Sequence, residues 1–166
     1  MAKLIILRGN SGSGKTTTAK RLQERIGTGT MRLSHDMIRM EILHTHGRDG
    51  VERSLPLMIE LLRYGRRHVE VTILEGILHT ADYAPLFQTA IEEFGTEIYA
   101  YYYNLPFEET LRRHETKPNH GDFGEVEMRR WWRDQDLIGT ISETILGMED
   151  GQEETVEKIL RDIGSI

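Results

Sequence analysis

Residues 9–16 read Gly-Asn-Ser-Gly-Ser-Gly-Lys-Thr, and this stretch decides the fold. It matches the pattern G-x-x-x-x-G-K-[ST] in full, and it stands between a predicted strand at 3–8 and a predicted helix at 15–26. Glycines are needed because backbone N–H groups must turn inward around phosphate oxygens, which requires positive φ and close approach without a Cβ. The stretch therefore predicts a phosphate-binding loop, and a glycine-rich turn that happens to precede a helix is the alternative.

The side chains of this loop have separate predicted roles. Lys15 would bring an ammonium group to the β and γ phosphates of ATP, and the Thr16 hydroxyl would bind Mg²⁺. The amino end of the following helix adds its positive dipole. The residues expected to contact the nucleotide are Gly9, Asn10, Ser11, Gly12, Ser13, Gly14, Lys15, Thr16 and Thr17.

Strands and helices alternate along the rest of the chain. Apolar runs predict strands at 3–8, 30–34, 71–74, 96–103 and 143–147, and three- and four-residue spacing predicts helices at 15–26, 36–44, 51–70, 82–94, 106–115, 125–136 and 156–163. This alternation predicts a parallel sheet covered by helices on both faces, with a ligand site beyond the carboxyl ends of the strands. Gly9, Asp36 and Glu75 stand at three of those ends.

The length and composition limit the possible classes of protein. A chain of 166 residues has the size of one domain, which we expect to span 1–166. Cysteine is absent, which excludes disulfides, thiolate catalysis and cysteine-bound metals and fits a reducing compartment. The apolar runs are too short for a signal peptide or a membrane helix. We therefore expect a soluble cytoplasmic protein without a membrane partner.

Charge is distributed unevenly along the chain. The net charge is −6, and residues 134–166 hold nine acids and two bases, a net of −7. Residues 1–133 carry 18 acids and 19 bases, a net of +1. This balance disfavours a broad nucleic-acid footprint but leaves room for a local basic cleft.

Several segments together resemble the P-loop kinases. They are RGNSGSGKTTTAKRLQ at 8–23, Asp-Met-Ile-Arg at 36–39, ILEG at 73–76 and an arginine-bearing helix after the fourth strand. The resemblance is to the group around polynucleotide 5′-kinase, zeta toxin and chloramphenicol phosphotransferase, and more closely to small bacterial proteins known as kinase or uridine kinase. It implies a three-layer α/β P-loop NTPase fold with a five-stranded parallel sheet in the order 2-3-1-4-5, ATP with Mg²⁺ over the loop, and a closing helical lid.

Asp36 is the candidate for activating the hydroxyl of the acceptor, because the resembling kinases hold that residue in an Asp-x-x-Arg sequence after strand two. On a helix Asp36 and Arg39 share a face, so a carboxylate for the nucleophile and a guanidinium for a substrate anion can converge. The alternative is that Asp36 or Ser34 caps the helix and that Arg39 is solvated.

Glu75 closes the apolar run VTIL beside the first strand, in the Walker B location near Mg²⁺. Many of the resembling proteins have Asp there, and the longer Glu side chain leaves three roles open. It contacts the metal through water, holds the acceptor hydroxyl, or replaces Asp36 as the base. A solvent-facing strand-end glutamate is the structural alternative.

The segment 112–133, here called the lid segment, places six cations around a loop that contains Pro and Gly: Arg112, Arg113, Lys117, Arg129, Arg130 and Arg133. A cation that arrives on lid closure stabilises the negative charge of the transferring phosphoryl group. By resemblance to lid arginines, Arg112 or Arg113 is the first candidate for this catalytic role. Arg129 and Arg133 come second and could contact the substrate, and each arginine alone could be an ordinary surface residue.

The sequence favours an ATP- and Mg²⁺-dependent kinase that transfers the γ-phosphoryl group to a hydroxyl of a small molecule or nucleoside. A polynucleotide 5′-hydroxyl kinase is the second enzyme reading, with a nucleic acid as partner. A nucleotide-dependent switch without transferase activity comes from another class. It is weakened because TKPN at 116–119 lacks the Asp of the guanine-reading motif [N/T]-K-x-D.

Overall fold

The computed structural model describes residues 1–164, and strands alternate with helices along that range as the sequence predicts. The strands are β1 (Lys3–Gly9), β2 (Thr30–Ser34), β3 (Val71–Gly76), β4 (Ile98–Tyr103) and β5 (Glu143–Leu146). The helices are α1 (Lys15–Ile26), α2 (His35–Met37), α3 (Gly47–His68), α4 (Thr80–Phe94), α5 (Phe107–Glu115), α6 (Glu125–Trp131) and α7 (Gln152–Ile163), with a π-helical turn at Ile38–Ile42.

The strands form one parallel sheet in the order β2-β3-β1-β4-β5, which confirms the predicted fold class. The register sets Leu7 of β1 beside Glu75 of β3, and Gly9 beside Tyr103 of β4. Ser34 of β2 lies on the other side of Glu75. The carboxyl ends of these strands therefore meet at one edge of the sheet, where a parallel α/β sheet carries its ligand site.

Each face of the sheet buries its own apolar core. Because side chains alternate between the two faces of a strand, Leu4 and Ile6 enter the core covered by α3 and α4. Ile5 and Leu7 enter the core covered by α1 and α7. All four side chains are 0% exposed. Burial on both faces explains why β1 reads as an unbroken apolar run instead of an alternating pattern.

Three predicted helices end earlier than expected, and the one at 51–70 ends at His68. The helix at 36–44 is one α-helical turn followed by a π-helical turn that ends at Ile42, a geometry that is frequent at functional sites. The helix at 125–136 ends at Trp131, and beyond the N–H of Trp132, which closes the helix on Arg129, the next N–H groups bond to other parts of the chain. The N–H of Arg133 donates to the Asn10 side chain, and the N–H of Asp136 donates to the Tyr102 hydroxyl.

Arg8 ties the segment after α6 to the centre of the sheet. Its side chain is 0% exposed and donates to Asp136 Oδ2 and to Glu143 Oε1, both at 2.8 Å. It also donates to the carbonyl oxygen of Leu78 and lies over the ring of Tyr102. A buried guanidinium needs such partners, so this network fixes the position of Asp136 and of β5 relative to β1.

In the part of the chain that the structure describes, no helix combines the length and the apolar character needed to cross a membrane.

Candidate active site

The loop between β1 and α1 has the backbone geometry that its glycines predict. Gly9, Gly12 and Gly14 take φ values of +147°, +81° and +100°. A Cβ on Gly12 would lie 2.4 Å from the carbonyl oxygen of Thr110, and a Cβ on Gly9 would lie 2.8 Å from Tyr103 Cβ. Glycine is therefore required both for the conformation of the loop and for its close packing against neighbouring elements.

Lys15 lies at the start of α1 with its side chain folded back over the loop. Its Nζ donates to the carbonyl oxygen of Asn10 at 2.8 Å and to Ser13 Oγ at 3.2 Å. Burial lowers its pKa to about 8, against the opposing influence of the Glu75 and Asp36 carboxylates. The ammonium is thus held at the loop by neutral oxygens, and the oxygens of a triphosphate would be stronger partners for it.

Thr16 and Glu75 form the pair expected for a magnesium site. Thr16 Oγ1 donates to Glu75 Oε1 at 3.0 Å, and Arg32 Nη1 lies 3.8 Å from the same carboxylate oxygen. Glu75 is 2% exposed, so the reading of a solvent-facing glutamate is wrong. A hydroxyl and a carboxylate are hard oxygen ligands that fit Mg²⁺. Among residues 1–164, no three His, Cys, Asp or Glu side chains are grouped to hold a metal by themselves, so phosphate and water oxygens would complete the coordination.

Asp36 lies beyond β2 on the same edge of the sheet, and its side chain is 67% exposed. Arg39 Nη2 lies 3.6 Å from Asp36 Oδ1, so the predicted shared face exists. The helix cap is Ser34, whose Oγ accepts from the N–H of Met37, which leaves the Asp36 carboxylate accessible. The Asp36 carboxylate opposes the lowering of the Lys15 pKa by burial, and both residues follow strands that end at the same edge of the sheet.

His35 is a residue of this site that the sequence did not reveal. Its Nε2 hydrogen-bonds to the hydroxyl of Tyr83, which also lies 3.1 Å from Ser54 Oγ. Burial, with a smaller contribution from Arg39, lowers the pKa of His35 to about 4, so the imidazole is neutral at neutral pH. A Cβ on Gly76 would lie 2.5 Å from His35 Cβ. Gly76 therefore makes room for His35, which fixes the backbone that carries Asp36.

The first lid arginines are engaged with neighbouring groups. Arg112 is exposed and donates twice to the carboxylate of Glu109, which lowers the pKa of that carboxyl to about 2. Arg113 is half-buried, and it donates from Nε to Glu109 Oε1 at 2.8 Å and from Nη1 to the carbonyl oxygen of Ser13 at 2.9 Å. Arg113 thus contacts the phosphate-binding loop directly, and Arg112, which is paired with Glu109, also lines the cleft beside that loop.

Three of the remaining lid cations lie in different surroundings. Arg129 is exposed, pairs with Glu125 and lies over the ring of Phe107 at 4.1 Å. Arg133 is exposed. Burial is the main cause that lowers the pKa of His79, and the charge of Arg133 contributes to the same shift. Lys117 is half-buried beside the loop, where burial lowers its pKa and the Asp36 and Glu75 carboxylates oppose that shift. Lys117 also lines the cleft beside the loop, and in the sequence it had only its place in the basic cluster as a signal.

A cleft of about 340 Å³ opens beside the phosphate-binding loop. It lies between the loop, the end of α5 and the β5–α7 connection, and its lining includes Gly14, Thr17, Tyr103, Arg113, Thr116, Lys117, Asp150 and Gln152. The volume is that of a small-molecule site. Thr17, which the sequence assigned to the nucleotide, lines this cleft, and Ser11 is half-buried on the opposite part of the loop.

The fold and the geometry of this loop define a P-loop domain. The sequence profile of the AAA domain family matches residues 4–136, and the chain belongs to that family. Comparison with curated proteins finds no match.

Solved structures of the same fold are similar over nearly the whole chain. A gluconokinase from Sinorhizobium meliloti 1021 superimposes with a TM-score of 0.68 at 15% identity, covering 97% of this chain and 91% of that one. The Deinococcus radiodurans tunicamycin resistance protein gives 0.64 at 21% identity, covering 100% and 98%. A shikimate kinase from Acinetobacter baumannii gives 0.63 at 18% identity, covering 98% and 93%. At these identities the likeness concerns the fold.

Proposed function

We propose that this protein is an ATP- and Mg²⁺-dependent kinase that transfers the γ-phosphoryl group to a hydroxyl of a small molecule or nucleoside. The observation that carries the proposal is the meeting of three groups at one edge of the sheet. They are the buried ammonium of Lys15, the Thr16–Glu75 oxygen pair and the accessible carboxylate of Asp36. A switch protein needs the first two groups only, so Asp36 favours transfer to an acceptor.

In the proposed mechanism, the backbone N–H groups of residues 9–16 bind the phosphates, and Lys15 leaves the Asn10 carbonyl to pair with their oxygens. Thr16 and Glu75 would hold Mg²⁺, which would supply positive charge that offsets the negative charge of the phosphates. Asp36 accepts the proton of the acceptor hydroxyl as that oxygen bonds to the γ phosphorus, while the bond from this phosphorus to the bridging oxygen breaks and ADP leaves. Phosphoryl transfer is mainly a matter of position and electrostatics, so these few groups suffice.

The lid segment supplies charge and excludes water in this proposal. Arg112, Arg113 and Lys117 line the cleft beside the loop, so all three are close to where a triphosphate would lie. A cation there stabilises the charge that spreads over the transferring oxygens. Arg39 and Arg133 remain proposed contacts for the acceptor, Arg39 because it accompanies Asp36. Arg112 and Arg129 would have to release Glu109 and Glu125 before either could act.

A polynucleotide 5′-kinase stays the second candidate, because the lid segment concentrates basic residues that a nucleic-acid backbone would attract. The acidic residues after 134 count against a long footprint. The cytoplasm is the compartment that we propose for either activity, since the chain has no cysteine to form disulfides.

The test is transfer of labelled γ-phosphate from ATP to a panel of nucleosides, sugars, aminocyclitols and 5′-hydroxyl oligonucleotides, with Lys15→Ala and Asp36→Asn beside the wild type. We expect Asp36→Asn to keep its affinity for ATP and to lose transfer, because only the base is removed. We expect Lys15→Ala to weaken ATP binding as well. Full turnover by Asp36→Asn would reject its assignment, and ATP binding without transfer to any acceptor would favour the switch.

A further inference from the structure

The phosphate-binding loop is bonded to both ends of the lid segment. Near the start of that segment, Arg113 Nη1 donates to the carbonyl oxygen of Ser13 at 2.9 Å. At its far end, Asn10 Nδ2 donates to the carbonyl oxygen of Arg133 at 2.7 Å, and Asn10 Oδ1 accepts from the N–H of Arg133 at 3.0 Å. Asn10 and Arg133 are 123 positions apart in the chain, so this contact is a feature of the folded site.

The Asn10 pair is more restrictive than one hydrogen bond. The side-chain amide of Asn10 donates one hydrogen bond to the backbone of Arg133 and accepts another from it, which fixes both the position and the orientation of that backbone. Asn10 is 7% exposed, so its side chain is directed to the lid and is shielded from solvent. Meanwhile its own carbonyl oxygen accepts from Lys15 Nζ at 2.8 Å. One residue of the loop therefore contacts the lid and the lysine that would meet the phosphates.

The chain beyond Arg133 is also held in place, so the lid would have to pivot about the residues next to it, which we call the hinge. Asp136 accepts from Arg8 and from the N–H and hydroxyl of Thr80. Helix α6 ends at Trp131, immediately before the Asn10 contact. Movement of the lid is consequently expected on the α6 side of residue 133, with 133–136 held at the edge of the sheet.

We propose that Asn10 is a positioning residue that holds the carboxyl-terminal hinge of the lid on the phosphate-binding loop, so that each closure brings the lid cations to the same place over the transferring phosphate. This inference rests on the proposed kinase function for its catalytic consequence. The backbone N–H groups bind phosphate whatever the side chain at this position, so Asn10 is expected to affect transfer more than nucleotide binding.

The variants Asn10→Ala and Asn10→Asp test the role. Alanine removes both bonds, while aspartate keeps the size and the acceptor oxygen but sets a carboxylate against the Arg133 carbonyl. We expect kcat to fall about 10-fold to 100-fold in both, since misplaced reacting groups lose rate by such factors, with KM for ATP changed less than about threefold. The transferred or released γ-phosphate of labelled ATP is measured, with water as acceptor if the panel gives no other.

Asn104→Ala is the matched control, because it makes the same truncation at an exposed asparagine outside the lid and is expected to keep wild-type kcat. A purely structural role for Asn10 predicts a lower melting temperature with an unchanged kcat, and that result would overturn the proposal. A rise in KM for ATP with constant kcat would overturn it too.

Hydrogen exchange supplies a test that requires neither activity nor a variant. In the wild-type protein the backbone N–H of Arg133 is expected to exchange at least about 10-fold more slowly than an unprotected amide, since it donates to Asn10. Exchange of this amide at the unprotected rate would refute the hinge even if the protein proves to be a kinase. If the amide exchanges slowly but the protein transfers no phosphate, the contact between Asn10 and the hinge is supported and the proposed kinase activity is rejected.

Discussion

Binding of ATP should be linked to a proton taken up by Lys15. In the free protein, burial lowers the pKa of Lys15 to about 8. At pH 7 about 90% of such a lysine carries its proton, and at pH 9 about 10% does. A bound triphosphate favours the ammonium and raises its pKa, so affinity is full below the free pKa and is lost as the pH rises through it.

The size of the effect follows from these fractions. If the triphosphate selects the ammonium form, the Kd for ATP rises about tenfold between pH 7 and pH 9. Binding takes up about 0.1 proton at pH 7 and about 0.9 proton at pH 9. Titration calorimetry with Mg²⁺ and ATP in two buffers of different ionisation enthalpy measures both quantities.

Lys117 is the group that could imitate this behaviour, because burial lowers its pKa as well. The control is therefore Lys117→Met, which should keep the proton uptake, whereas Lys15→Met should lose it. An affinity that stays constant from pH 7 to pH 9, or an uptake that disappears with Lys117, would refute the reasoning for Lys15.

Three further changes probe the loop, the buried network and the metal pair. Gly12→Ala should lower the free energy of unfolding, measured in urea, by about 2 to 4 kcal/mol, because its Cβ would lie 2.4 Å from the carbonyl oxygen of Thr110. The control is Gly121→Ala, whose Cβ would lie in open space and which should change the free energy of unfolding by less than about 0.5 kcal/mol. Arg8→Met should lower the free energy of unfolding by about 3 to 5 kcal/mol, since two carboxylates lose a buried partner. A variant as stable as the wild type would contradict the role given to Arg8. Glu75→Gln should raise the Mg²⁺ concentration for half-maximal transfer about tenfold, and complete loss of turnover at saturating Mg²⁺ would instead make Glu75 the base.

The alternation of strands and helices and the loop were predictable because their signals are local, whereas the strand order was implied by the resemblance to the P-loop kinases. Eight consecutive residues specify the phosphate-binding turn, and β1 is apolar on both faces because both are buried. The positions of Asp36 and Glu75 followed from the rule that parallel strands end at one edge. Such information is contained in short stretches of sequence and needs no knowledge of distant contacts.

The remaining features of the site depend on contacts between distant segments. Nothing near His35 in the sequence indicates that Tyr83 binds it or that Gly76 makes room for it. The early end of α6 is set by Asn10 and the Arg8 network, while the local sequence continues to favour a helix. Among the lid cations, composition identified the group, but only packing separates Lys117, beside the loop, from Arg129 on the surface.

The similarity to the AAA domain family stops at residue 136, but the folded body does not. Past that point, Glu143 of β5 accepts a hydrogen bond from Arg8, and α7 covers Ile5 and Leu7 on one face of the sheet. A fragment trimmed to the shared family region would have an uncovered hydrophobic face and an unpaired edge along β4, both of which promote aggregation. Expression of this protein for biochemistry therefore has to retain the acidic carboxyl-terminal segment, although none of its side chains is proposed to take part in the chemistry.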